Sequence, residues 1–197
     1  MRPAFAPAFP FAYTHTMAHE IETKVLDIDS VAVQRKLRAL GAKKIRTTRL
    51  VVDWFRRVRT KEGDDKWYLR IRSYDGKRHE VTWKAKSQIL GTARKHKEIN
   101  FNIAEPEKLS DLFESIGLEK YAHQEKDRTS YALKKWAFDI DDYPNMPPFL
   151  EIEGTSEWHV KAAIKLLGLE KNRTWAEGER TLIQKVYGLD WYSMKFE

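Results

Sequence analysis

From residue 20 onward, apolar and polar residues alternate with a period of two over most of the chain. A period of two marks half-buried strands, whose side chains point to opposite faces in turn. It predicts strands at about 20–26, 43–58, 66–74, 78–87, 92–103, 120–133, 135–141 and 149–153. Between them, apolar residues recur every three or four positions, the period of an amphipathic helix. Val33, Leu37 and Leu40 predict a helix over 31–40, capped by Asp29 or Ser30 and stopped by Gly41. Pro106 opens a second over 107–116, Ser156 a third over 157–167 ending at Gly168, and a fourth covers about 178–187. Asp75-Gly76 is a hairpin turn, and hairpin-length links favour antiparallel pairing. The expected class is α+β, one domain over 17–197.

Ahead of it, residues 1–16 are apolar, but Pro3, Pro7 and Pro10 break any helical segment, so they are read as a disordered extension. The 197 residues carry 36 Lys plus Arg against 29 Asp plus Glu, a formal charge of +7, which favours an anionic partner. There is no cysteine, which excludes disulfides, thiolate metal sites and cysteine nucleophiles and fits a cytoplasmic setting. No apolar run approaches the roughly 20 residues of a membrane span.

The alternation places charges of one kind on one face, strand after strand. Glu20, Glu22 and Lys24 share a face, as do Arg70 with Arg72, and Thr82 with Lys84 and Lys86. So do Arg94, His96, Glu98 and Asn100; then Lys126 with Arg128, Asp139 with Asp141, and Glu151 with Glu153. A solvated strand face is the ordinary reading of any one of these. Like charges doubled along one face are poorly tolerated unless opposite charges stand across from them. Acidic and basic strands together therefore imply a sheet curled around a shared lumen. Basic groups there suit phosphate oxygens, and carboxylates suit a hard divalent cation such as Mg²⁺ or Mn²⁺. A nucleic-acid groove would not be lined with paired carboxylates.

The ordered set resembles the CYTH, or triphosphate tunnel metalloenzyme, family, which includes class IV adenylyl cyclases, thiamine triphosphatases and inorganic tripolyphosphatases. Its Glu-x-Glu-x-Lys signature matches Glu20, Glu22 and Lys24, and the likeness runs over roughly 18–190. On the fifth strand the family's Arg-x-Glu-x-Glu is met by Arg94, His96, Glu98 and Asn100, so fewer carboxylates stand there. The resemblance implies an eight-stranded antiparallel β-barrel, the triphosphate tunnel, with flanking helices. It implies Mg²⁺ or Mn²⁺ held among Glu20, Glu22, Glu98, Asp139, Asp141, Glu151 and Glu153. Phosphates would be held by Lys24, Arg70, Arg72, Lys84, Lys86, Arg94, Lys126 and Arg128, with Lys24, Lys84 and Lys86 the catalytic candidates. The implied partner is tripolyphosphate, thiamine triphosphate or ATP, and family members are often dimers.

Hydrolysis of a triphosphate is the expected activity. Conversion of ATP to cyclic AMP is the alternative within the fold, and a non-catalytic module binding polyphosphate, nucleotide or RNA is the alternative outside enzymes. Trp54, Trp83 and Trp136 are expected on the outside of the barrel beneath helices, and His96 to be structural or solvated.

Overall fold

The computed structural model describes residues 20–60, 64–86 and 88–197, except the side chains of Glu20 and Arg94. The expected extension over 1–16 lies outside these residues. In chain order the elements are β1 (Glu20–Val25), α1 (Ser30–Ala39), β2 (Lys43–Arg57), β3 (Trp67–Tyr74) and β4 (Arg78–Ala85). Next come β5 (Gln88–Leu90), β6 (Ala93–His96), β7 (Glu98–Ile103), α2 (Pro106–Ser115) and β8 (Leu118–Leu133). The chain closes with β9 (Trp136–Asp142), β10 (Phe149–Gly154), α3 (Glu157–Leu167), β11 (Thr174–Trp175), α4 (Glu179–Tyr187) and β12 (Ser193–Met194).

The local signals act as their chemistry requires. The Asp29 carboxylate accepts from the N–H groups of Val31 and Ala32, both at 3.0 Å, and Ser156 accepts from the His159 N–H at 3.1 Å. Each satisfies donors that a helix N-terminus otherwise leaves bare. Asp75 and Gly76 both take positive φ, 51° and 64°, as a tight hairpin between twisted strands demands.

The strands form one mostly antiparallel sheet in the order β5-β6-β1-β10-β9-β8-β2-β3-β4-β7, with β11 on β1 and β12 parallel to β8. The expected α+β tunnel fold with flanking helices is present, but the hydrogen-bonded path is not closed and has more strands than eight. Its two ends belong to one stretch of chain. β6 and β7 are separated by Lys97 alone, and the segment expected as one fifth strand pairs with β1 through β6 and with β4 through β7. The Ala85 N–H donates to the Lys97 carbonyl at 2.9 Å, which fastens β4 to that join. The sheet thus wraps into a tunnel through the chain itself.

Two apolar clusters hold it. Outside, α1 and α3 bring Val33, Leu37, Val160 and Ile164 against Val25, Phe138, Ile140 and Ile152. The second cluster was not foreseen. Leu182 and Ile183 of α4 are fully buried with Leu50 and Val52 of β2, Tyr143, Phe149 and Met194. Leu50 and Val52 share a strand face with Arg46 and Trp54, so α4 packs on the lumen side of β2. Burial of this kind stabilises by roughly 1.5–3 kcal/mol per large apolar side chain, which fixes α4 as a plug. Among the described residues, no helix is long and apolar enough to cross a membrane.

Candidate functional site

A cavity of about 470 Å³ lies between the inner strand faces and the first turn of α4. One wall is basic. Arg70 and Arg72 project from β3, Lys84 and Lys86 from β4 and its end, and Arg128 from β8. Their positions follow from the period of two, because Ile71 turns outward into burial between the two arginines. Lys84 is held on both sides, ion-paired to Glu98 and 3.2 Å from Nε2 of His96. Burial pushes the Glu98 carboxyl up, but the Lys84 ammonium and hydrogen bonds from His96, Lys84 and Asn100 outweigh it and hold Glu98 well below its ordinary value. Burial likewise works against charge on Arg72, and the oxygens of Tyr74 and Glu80 more than offset it. Arg72 donates to Tyr74 Oη at 3.0 Å, and that hydroxyl donates to Glu80 at 3.1 Å.

The facing wall is acidic, formed by Glu22 of β1, Glu151 and Glu153 of β10, and Asp139 of β9. Glu22 is the register partner of Glu153, and Lys24 of Glu151. Beneath this wall runs a buried chain of alternating charge. Lys24, 1% exposed, lies 2.9 Å from Glu151 and 3.7 Å from Glu22. Arg128 reaches Glu151 at 3.4 Å, Asp139 at 2.7 Å and both oxygens of Asp141 at 2.5 Å. Lys126 continues from Asp141 to Glu179 of α4, 2.8 Å from each, and Tyr143 donates to Glu179 at 2.6 Å. The network fastens α4 to the strands and leaves the buried charges paired, without which they would be costly. Burial opposes charge on Arg128, and Asp139, Asp141 and Glu151 raise its pKa well above the ordinary value. For Glu179, burial is overcome by Lys126, which holds the carboxyl well below its usual range. Asp139 goes the other way: burial pushes it up despite Arg128.

Of the residues singled out by sequence, Glu22, Arg70, Arg72, Lys84, Lys86, Glu98, Arg128, Asp139, Glu151 and Glu153 line this one cavity. Lys24, Lys126 and Asp141 do not; they lie behind its wall, holding those that do. Glu20 and Arg94 stand in β1 and β6 with their side chains outside the described set. His96 is buried in the cavity wall against Lys84. Trp136 packs beneath α3 as expected, but Trp54 does not sit outside: it lines the cavity, because it shares its strand face with Arg46 rather than with Phe55. The alternation from Arg46 through Leu50 and Val52 to Trp54 is unbroken, and Trp54 stands opposite Arg70 of β3. The register irregularity against β8 falls only after it.

Sequence reasoning missed Arg46, Tyr68, Tyr74, Glu80, Tyr121, Trp191 and the α4 turn Glu177–Thr181, all of which line the cavity. Strand parity could have found Tyr68, Tyr74 and Glu80, two positions from Arg70, Arg72 and Thr82. Nothing local announces that a helix enters a lumen.

Among the described residues, no three His, Asp or Glu side chains converge as a ready-made metal cage. The acidic wall nevertheless offers what Mg²⁺ or Mn²⁺ takes: carboxylate oxygens next to a phosphate-binding wall, the mode in which the ion completes its shell with substrate oxygens and water. The residues present fit such an ion.

A family model described as CYTH domain matches residues 18–187. No curated protein matches the chain. Among solved structures, the PH1012 protein of Pyrococcus horikoshii is similar at 22% identity and a TM-score of 0.65, over 77% of this chain and 92% of that one. A Hippeastrum protein, provisionally an adenylyl cyclase and described as having dominant triphosphatase activity, is 17% identical with a TM-score of 0.64, over 85% and 96%. A Vibrio parahaemolyticus protein provisionally named an adenylate cyclase is 10% identical with a TM-score of 0.70, over 84% and 97%. At these identities the likeness shows the fold alone.

Proposed function

The chain belongs to the CYTH family, and on that premise we propose that it is a divalent-metal-dependent enzyme that hydrolyses a triphosphate, inorganic tripolyphosphate or an organic one. The family is generally divalent-metal-dependent and binds triphosphate substrates. The observation that carries the reading is the division of one cavity into a mostly basic wall on β3, β4 and the end of β4 (Arg70, Arg72, Lys84, Lys86) and an acidic wall on β1 and β10 (Glu22, Glu151, Glu153). A bare polyanion needs only the first wall. A polyanion that arrives with a cation needs both.

In this reading Glu22, Glu151 and Glu153 hold the ion. When bound, the ion supplies Lewis-acid polarisation of the phosphoryl oxygens. Arg70 and Arg72 orient the phosphates through directed N–H groups, Arg128 adds positive charge while braced by its carboxylates, and Lys84 and Lys86 add compact charge where negative charge grows on the phosphoryl oxygens. Lys24, Lys126 and Asp141 act at one remove, keeping Glu151 and Arg128 aimed into the cavity. The Hippeastrum protein's described triphosphatase activity is in keeping with this assignment.

The test is product analysis. Purified protein with Mg²⁺ or Mn²⁺ is offered tripolyphosphate, thiamine triphosphate and ATP, and orthophosphate, pyrophosphate and cyclic AMP are quantified. Orthophosphate release that depends on metal supports hydrolysis. Cyclic AMP with pyrophosphate would make the protein a cyclase, and binding without turnover would make it a non-catalytic module.

A further inference from the structure

The sheet ends on an open strand edge. Among the described residues β7 pairs with β4 alone, so its other side carries unpaired main-chain groups. The strand at the opposite end, β5, is three residues long, and so short an edge offers little to a partner. β7 has six residues, and five in a row, Ile99-Asn100-Phe101-Asn102-Ile103, hold neither a charge nor a proline. Charges, prolines and bulges are the devices that keep an open edge from joining another strand.

Parity and the ladder fix what this edge presents. Ile99, Phe101 and Ile103 share the outer face with their register partners Trp83, Val81 and His79 of β4. Ile99 and Phe101 are 48% and 59% exposed, so that face is uncovered at the edge. The Ala85 N–H donates to the Lys97 carbonyl, which sets the phase of the ladder. Antiparallel pairs alternate between bonded and non-bonded, so Ile99, Phe101 and Ile103 turn their main-chain groups toward β4. Those of Glu98, Asn100 and Asn102 turn toward the open side.

The five uncharged residues read the same in both directions. An antiparallel copy related by a two-fold axis at Phe101 places Phe101 opposite Phe101, Ile99 opposite Ile103 and Asn100 opposite Asn102. The outward main-chain groups of Asn100 and Asn102 then satisfy each other, and the apolar residues fall at non-bonded positions, where side chains lie closest. Just past the strand ends, the same register brings Lys97 of one copy to Glu105 of the other. Both are exposed, and Glu105 is otherwise ion-paired only at the surface, to Lys108. A strand of a different protein would have to supply this pattern, whereas a second copy already carries it. We infer that two copies of the chain pair antiparallel through their β7 edges, about a two-fold axis at Phe101, and continue the sheet across the interface. The strand fixed in this way carries Glu98, whose carboxylate holds Lys84 in the cavity wall.

The experiment is sedimentation equilibrium of the full chain across a wide range of protein concentration. The wild type is expected to reach twice the mass of one chain. Asn102→Pro removes an N–H that faces the open side and none that β4 uses, a change an edge strand tolerates. It is expected to weaken the dimer by roughly tenfold or more, the loss of one hydrogen bond from each copy. Phe101→Lys sets like charges against each other at the axis and is expected to leave a monomer. Lys97→Glu is expected to weaken association, and adding Glu105→Lys to it to restore association. The chain has no cysteine, so Phe101→Cys places one thiol on the axis, and diamide is expected to join two copies through a disulfide. Val31→Cys, exposed on α1, is the control and is expected to remain uncrosslinked.

A chain that stays monomeric throughout would overturn the inference and leave the edge to a strand of another protein. A dimer that survives Asn102→Pro and Phe101→Lys, with Phe101→Cys crosslinked no faster than Val31→Cys, would overturn it as well. Circular dichroism checks each fold, and should Asn102→Pro not fold, the crosslinking comparison decides.

Discussion

Glu22 stands directly opposite Glu153 in the antiparallel ladder of β1 and β10, and both face the cavity. Opposed like charges on one sheet face call for positive charge nearby; Lys24 lies 3.7 Å from Glu22, and in the proposed function a divalent cation adds to it. Addition of Mg²⁺ or Mn²⁺ is expected to raise the thermal midpoint, by an amount equivalent to about 2.7 kcal/mol at a hundredfold excess over the dissociation constant. Glu153→Gln is expected to lose most of that rise. An equal rise in the variant, measured by scanning calorimetry, would remove Glu153 from the ion site.

Arg128 forms ion pairs with Asp139, Asp141 and Glu151 while 8% exposed. Removing one partner of a buried ionic network leaves the others uncompensated, at a cost of roughly 3–5 kcal/mol. Arg128→Met is expected to lower unfolding free energy by about that much in urea titrations. Arg128→Lys is expected to recover part of it, because lysine cannot reproduce the forked contact with Asp141. A variant as stable as the wild type would mean that the network contributes nothing net.

The Glu179 carboxyl is held below its ordinary value of 4.5 once Lys126 outweighs burial. The sign follows from linkage. A carboxyl whose pKa is depressed by folding adds stability that is fully present above its unfolded pKa and is lost as pH falls through the folded one. Thermal midpoints are expected to drop as pH falls below about 4.5, and less steeply in Glu179→Gln. Parallel curves in the two proteins would show that Glu179 carries no such linkage.

Much of this site was legible as strand parity. Arg70 and Arg72, Lys84, and Glu151 with Glu153 are each in alternate positions of a regular strand, and regular strands put them where parity predicts. What was not legible is long-range. That Lys24 and Lys126 are covered depends on Glu151, 127 positions beyond Lys24, and on Glu179 arriving from a helix. The break at Lys97 replaces one expected strand with two that pair at opposite ends of the sheet, a matter of closure geometry that no local pattern encodes. Trp54 was misplaced although parity with Arg46 puts it on the lumen face, because an indole on an otherwise charged face reads as exterior packing.

Arg70 lines the cavity and lies over the Trp54 ring, 5.3 Å from its centre. Charged hydrogen bonds contribute about 1.5–3 kcal/mol each, so Arg70→Ala is expected to weaken triphosphate binding by roughly ten- to hundredfold. Unchanged affinity in an equilibrium titration would take Arg70 out of the phosphate-binding set.

The central claim is that the two walls act together on a metal–triphosphate complex. Its most direct measurement is the affinity of a non-hydrolysable imido analogue of a nucleoside triphosphate, with and without Mg²⁺, in the wild type and in Glu22→Gln. The account predicts that Mg²⁺ tightens binding by at least tenfold in the wild type and by little in Glu22→Gln. Affinity indifferent to Mg²⁺ in the wild type, or a magnesium effect of the same size in Glu22→Gln, would contradict it.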